Sequence, residues 1–278
     1  MTVVIHTLKP RLLPCHSFSN TFITQMMRLT RYMLWGIALC TATAIVFFLA
    51  SKSAYVEPTN SPSENHSTTP NYKQSLATLE SRRLSLASRY QHASATERAA
   101  VIAEARTLIT RSIYDDLFPA WYGTPWDFNG TSEIPQQGKI ACGYFVSTIL
   151  RDTGLKVQRV RLAQQASENI ILSLTTNRFV KRFRRVAVND FVNAVKQWGS
   201  GIYIVGLDVH VGFVVNTGDE VYFIHSSYVE PYAVVKEKAI ESKILATSNY
   251  RVLGSVFADD LLINNWLTQT EFKTIPST

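Results

Sequence analysis

The chain has 278 residues, 46% of them hydrophobic and 18% charged, with 28 Lys and Arg against 21 Asp and Glu for a net charge of +7. That apolar content can build one large domain or two small ones and excludes wholesale disorder, while the weak, scattered charge excludes a dedicated nucleic-acid binder and suits a basic protein near anionic envelope polymers or lipids. Cys15, Cys40 and Cys142 form no paired spacing of the kind a disulfide framework or zinc site needs, so neither a structural metal nor a cofactor is expected.

In chain order, the first predicted element is a membrane segment. The 20 residues between Arg31 and Lys52 carry no charge, and Met33 to Ala50 is mostly apolar, a helix of roughly 30 Å and about one hydrocarbon core. Arg28 and Arg31 before it against Lys52 after it place residues 1–32 in the cytoplasm and the rest outside. A cleaved signal segment is the alternative, disfavoured because no small-x-small cleavage site stands out. Met26 or Met27 followed by RLTRY reads as an alternative start, and Cys40 inside the span behaves as a small hydrophobe. Residues 51–73, rich in Pro, Ser, Thr and Asn, read as a flexible tether.

Residues 74–118 predict a helical hairpin set in front of the main domain. Leu76, Leu79, Leu84 and Leu86 mark the first helix; Ser94 and Glu97 have capping-box spacing, and Val101, Ile102, Ala105, Leu108, Ile109 and Ile113 carry the second helix toward Pro119. The main domain, 119–278, begins with WYGTPWDFNGTSEIPQQGKI, whose Gly, Pro and Asn favour loops. An apolar helix then runs from Cys142 to Leu150 and stops at Gly154. Further helices are predicted around Gln164–Leu174 and Asn189–Trp198, and Arg178 to Arg185 reads as a solvated helix or loop face, with an anion-binding patch as the alternative. Strands follow: IYIVGL, HVGFVV, a turn at NTGD, VYFIH and YAVV. Helices first and an antiparallel sheet after is an α+β arrangement.

Cys142 opens its helix, where the positive end of the dipole favours a thiolate, although a cysteine on an apolar helix is more often core filler. Two histidines of the strand region change that balance. Counting inward from His210 and His225, both reach the midpoint between Thr217 and Gly218, so a two-residue loop there would place them directly opposite each other on paired strands. One would serve as general base and the other as its orienter, the arrangement that activates a thiol for acyl transfer.

A thiol-bearing helix followed by HVGFVV and YFIHSS resembles the NlpC-type cell-wall cysteine peptidases, a papain-like superfamily, over about Trp121 to Val235. The resemblance implies a papain-like domain in which Cys142 is the nucleophile, His210 the base and His225 the third member, and in which the YGTPW loop, with Tyr122 and Trp126, precedes the nucleophile. The chain departs from the family pattern at Asp-Cys-Ser-Gly: Ala141 stands before the cysteine and Gly143 after it, so recognition of the substrate must differ. A long insertion from Leu162 to Trp198 separates nucleophile and base and is placed to roof the cleft. The backbone N–H of Cys142 is the first oxyanion candidate, because the opening amides of a helix are unpaired; Gln136, with Gln137 beside it, is the second. The expected function is a membrane-tethered, extracytoplasmic thiol hydrolase acting on an amide of peptidoglycan or a related envelope peptide. A catalytically idle binding module and a thiol acyltransferase are the alternatives.

Overall fold

The computed structural model describes residues 68–277; the segment read as a membrane anchor lies outside them. Among the described residues no helix is long and apolar enough to cross a membrane. Helix α1 (Thr68–His92) begins inside the stretch read as tether. It turns into α2 (Ala95–Arg111) at Ser94, whose hydroxyl accepts from the Glu97 N–H while the Glu97 carboxylate accepts from the Ser94 N–H, the reciprocal cap its spacing announces. A π-helical turn, Ser112–Leu117, carries α2 into the short α3 (Phe118–Trp121).

The hairpin does not stand in front of the domain as a separate spacer. Tyr72, Leu79 and Leu86 of α1 and Val101, Ala105 and Ile109 of α2 belong to the same core as Trp121, Phe145 and Trp266. The Tyr72 hydroxyl donates to Asp152 at 2.6 Å and accepts from Trp121 Nε1 at 3.0 Å, fastening α1 to the end of α4 (Cys142–Asp152). The apolar residues of α4, Phe145, Val146, Ile149 and Leu150, have the one-sided spacing of a helix lying on a sheet, with Ser147 and Thr148 buried besides, and the helix stops as predicted ahead of Gly154, whose φ of 89° suits a residue without Cβ.

Two short helices, α5 (Arg159–Ala163) and α6 (Ser167–Leu172), lead to β1 (Val180–Arg184), and α7 (Val188–Trp198) leads to β2 (Gly201–Leu207), β3 (Val211–Asn216), β4 (Val221–Ser226) and β5 (Val234–Lys238). The chain closes with α8 (Lys243–Thr247), β6 (Tyr250–Gly254) and α9 (Asp260–Thr268). The strands form one six-stranded antiparallel sheet in the order β1-β6-β2-β3-β4-β5, so the fold is α+β with an open sheet. One face carries Ile202, Ile204, Phe213, Val215 and Ile224 in the core shared with α4 and the hairpin. The other carries Tyr203, Val205, Val214 and Phe223 against Phe191, Val192 and Val195 of α7. Burial of both faces is why β2 to β4 read as continuous apolar runs instead of alternating ones.

Three local readings change. The basic run is an edge strand: Val180 and Phe183 turn partly inward while Lys181, Arg182 and Arg184 are exposed, and charge along an edge discourages pairing with another chain. Arg182 is taken by Glu168 at 2.6 Å. Strand β6 escaped notice because Arg251 interrupts its apolar pattern. That guanidinium is fully buried and donates to the carbonyls of Leu245 and Val186 at 2.6–3.0 Å. The last predicted strand, YAVV, begins later, at Val234, because Tyr232 sits in a turn with a φ of 54°.

Candidate active site

Cys142 is the first residue of α4, following Ala141 in extended conformation. Its position is fixed from both sides: the Ala141 N–H donates to Gly130 O at 2.9 Å, and the Ser226 hydroxyl on β4 donates to Ile140 O at 2.7 Å. The thiol faces the start of β3, where the N–H groups of Val211, Gly143 and Cys142 itself favour the anion. Burial nevertheless outweighs these donors and pushes the thiol up from its ordinary range, so the resting group is a neutral thiol and not the thiolate that the helix dipole alone suggested.

The two histidines come together, though not by the register expected. The pairing of β3 with β4 ends at Asn216↔Val221, leaving a four-residue loop that Thr217 closes by donating its N–H to Glu220 O at 3.0 Å. Gly218 adopts a φ of 99° there, and the Asn216 side chain accepts from its N–H. Relative to a two-residue loop the register moves by two, which keeps every side chain on its face because the pleat repeats every second residue. His225 therefore lies across from Gly212, and His210, just ahead of β3, reaches it diagonally with Nε2 2.9 Å from His225 Nδ1. Gly212 makes the approach feasible: a Cβ there would fall 2.8 Å from His225 Cβ and 2.7 Å from the Phe223 ring.

A fourth group, unnoticed in the sequence, completes the chain of contacts. Glu237 on β5 accepts from His225 Nε2 at 3.2 Å, and Ser242 also bonds to it; burial raises its pKa, but these contacts prevail and hold the carboxyl below its usual range. An ionised Glu237 assigns the proton of His225 to Nε2. Its Nδ1 then accepts from His210 Nε2–H, and the lone pair of His210 falls on Nδ1. That Nδ1 is buried with no hydrogen-bond partner. His210 is 3% and His225 0% exposed, and desolvation holds both imidazoles below their ordinary range, His210 the further because His225 would repel its charge. Glu237 lies diagonally across from His225, whose direct partner is Val235, so its only sequence signal is its parity on β5 once the β4–β5 register is known.

Cys142 and His210 line one cleft in two lobes. The first, about 500 Å³, is walled by Trp126, Phe128, Tyr144, Val209 and Tyr228; the second, about 450 Å³, by Gln165, Ser167, Glu168, Asp208 and Tyr250. Both include Cys142, Gly143, Ala163, Val209 and His210, so only the opening of the long insertion borders the cleft. A separate cavity of about 520 Å³ lies between α1 and α2, with neither cysteine nor histidine in its lining.

Of the other predicted site residues, Trp126 and Gly143 line the cleft. Tyr122 instead packs against the core, and burial raises its hydroxyl pKa. Gln136 is exposed, lines neither lobe, and donates its side-chain amide to Ala120 O at 3.3 Å, so it is no oxyanion donor; Gln137 borders a shallow hollow at the Asp127–Lys139 loop instead. Gly143 has a steric reason: a Cβ would meet Ala163 O at 2.3 Å. The packing of α5 against α4 therefore forbids the serine that the peptidase pattern places after its nucleophile.

Comparison of the chain with protein-family models, with curated proteins and with solved structures returns no match.

Proposed function

We propose that this protein is a thiol hydrolase that cleaves an amide bond in peptidoglycan or a related envelope peptide, on a domain of papain-like type held outside the cytoplasm by the apolar segment 33–50. The observation that carries the reading is the chain of contacts Glu237–His225–His210, whose two imidazoles are buried and whose unpartnered nitrogen, His210 Nδ1, belongs to a residue that lines the same cleft as a helix-start cysteine.

In this mechanism His210 Nδ1 takes the Cys142 proton as the sulfur attacks the carbonyl carbon. The oxyanion is met by the Cys142 N–H, a donor at the helix start. Collapse of the tetrahedral adduct breaks the C–N bond, and the leaving amine takes the proton from His210. Water then attacks the thioester, with His210 as base, and restores the thiol. The positive charge borne transiently by His210 is shared through His225 with Glu237. The neutral resting pair suits a site in which ion-pair formation accompanies attack, because substrate contacts then compensate the charge that burial disfavours.

The test is digestion of purified sacculi by the full chain beside Cys142→Ala, with released fragments identified by mass spectrometry. Fragments that require Cys142 are the expected result. Equal release by both proteins refutes the hydrolase reading, and binding without release by either favours a recognition module.

A further inference from the structure

The two lobes flanking Cys142 differ in chemistry. In the first, five of the side chains are large and apolar or aromatic, and besides the Cys142 thiol and the His210 ring the polar side chain is Gln164. The ring of Tyr228 stands 5.1 Å from the His210 ring and 6.4 Å from Trp126, so an aromatic wall runs from the base to the outer lip. Phe128 and Val209, each 80% exposed, form that lip. Large apolar side chains left in water around a concave cleft mark a surface that a ligand covers. The second lobe has, among the described residues, no large aromatic ring but that of Tyr250, and sets the hydrogen-bonding groups Gln165, Ser167, Glu168, Asp208 and Tyr250 beside the smaller apolar Leu207, Val209 and Val211.

We infer that the first lobe is a subsite for an extended aliphatic acyl group, so that the substrate is an N-acylated envelope peptide whose acyl carbonyl is attacked by Cys142. Placing this group on the acyl side rests on the hydrolase reading above; the apolar affinity of the lobe does not. The assignment of sides follows from the leaving group. The amine released is polar and becomes a cation in water, and it fits the lobe lined by hydrogen-bonding and carboxylate groups. The portion kept on sulfur as a thioester then occupies the apolar lobe. A lobe of about 500 Å³ with an apolar lip continuing to the surface takes a chain that extends outward, where a closed pocket would take one side chain. No redox or metal step is involved: the S–C bond forms on attack, the C–N bond breaks when the tetrahedral adduct collapses, and water later replaces sulfur.

The experiment has a binding arm and a turnover arm. N-acylglycines from acetyl to decanoyl are titrated calorimetrically into the full-length Cys142→Ala protein, in which no acyl transfer to sulfur can occur. Affinity should rise about fourfold for each added methylene until the lobe is filled. In the same background Phe128→Ser and Val209→Ser, both at exposed positions where folding is not at stake, should flatten that rise. Affinity independent of chain length, or a rise that neither substitution changes, overturns the inference. In the turnover arm the wild-type chain is given p-nitrophenyl esters of the same acids. Chain-dependent binding without Cys142-dependent release would keep the apolar subsite and defeat the hydrolase reading. Cys142-dependent release that is equal for acetyl and decanoyl esters, with flat binding, would keep the hydrolase and defeat the subsite.

Discussion

Acidification provides a quantitative test of the buried imidazole pair. Unfolded, His210 and His225 titrate near 6.5; in the fold, desolvation holds both below that value, and the charge of one would oppose that of the other 2.9 Å away. As pH falls through 6.5 the unfolded chain therefore takes up protons that the native chain refuses, and stability declines; well above 6.5 the two states bind equally and the curve is flat. An imidazole that stays neutral throughout costs about 1.3 kcal/mol between pH 7 and pH 5.5. His210, held the further below its ordinary value, contributes most of that amount and His225 a part, for a total of about 1 to 2.5 kcal/mol. Glu237, held below the usual carboxylate range, stays ionised in this window, and its own contribution is lost only at lower pH. The assay is urea denaturation of the full chain at pH 7.0 and 5.5, beside a His210→Asn/His225→Asn double variant that lacks both titrating groups. The wild type should lose at least about 1 kcal/mol more than the variant over this interval. Equal losses would show that the imidazoles titrate alike in both states, and the burial argument would fail.

Other substitutions separate the roles of the site residues. Cys142→Ala and His210→Ala remove the proposed nucleophile and base and should abolish turnover, whereas His225→Ala should leave on the order of 1% of it and His225→Asn, which keeps a polar contact to His210, should leave more; equal loss in all of them would contradict the proposed role of His225 as orienter. Glu237→Ala removes the group that sets both tautomers and should cut turnover by about 10² while leaving substrate binding unchanged, a split between kcat and KM read from steady-state kinetics. Gly212→Ala drives a methyl group against His225 and Phe223 and should cost about 1–3 kcal/mol in denaturation and lower activity by displacing the ring. Gly143→Ser, though it would introduce the residue of the peptidase pattern, meets Ala163 O and should destabilise the chain by a similar amount.

The legible parts of the fold were those with local causes. The Ser94–Glu97 cap, the one-sided helix opening at Cys142, its stop at Gly154 and the apolar runs of β2, β3 and β4 each come from neighbours a few residues apart. Elements whose sequence conflicts with their burial were missed. Arg251 sits in a central strand because distant carbonyls accept its donors, and the basic β1 is a strand only because β6 is there to pair with it. The end of the tether was misplaced because polar residues can begin a helix that is held by later packing, such as that of Tyr72 on Trp121 and Asp152.

The candidate site divides along the same line. By itself the sequence singled out Cys142, His210 and His225 as candidates and placed both histidines on one face, since parity along a strand survives a register shift of two. Tertiary structure decided the rest. The loop between β3 and β4 set a diagonal contact, the β4–β5 register brought Glu237 to His225, and α5 filled the space over Gly143. Only burial decided the charge state at Cys142, because the local field of a helix start favours a thiolate while desolvation by distant segments acts against it and prevails.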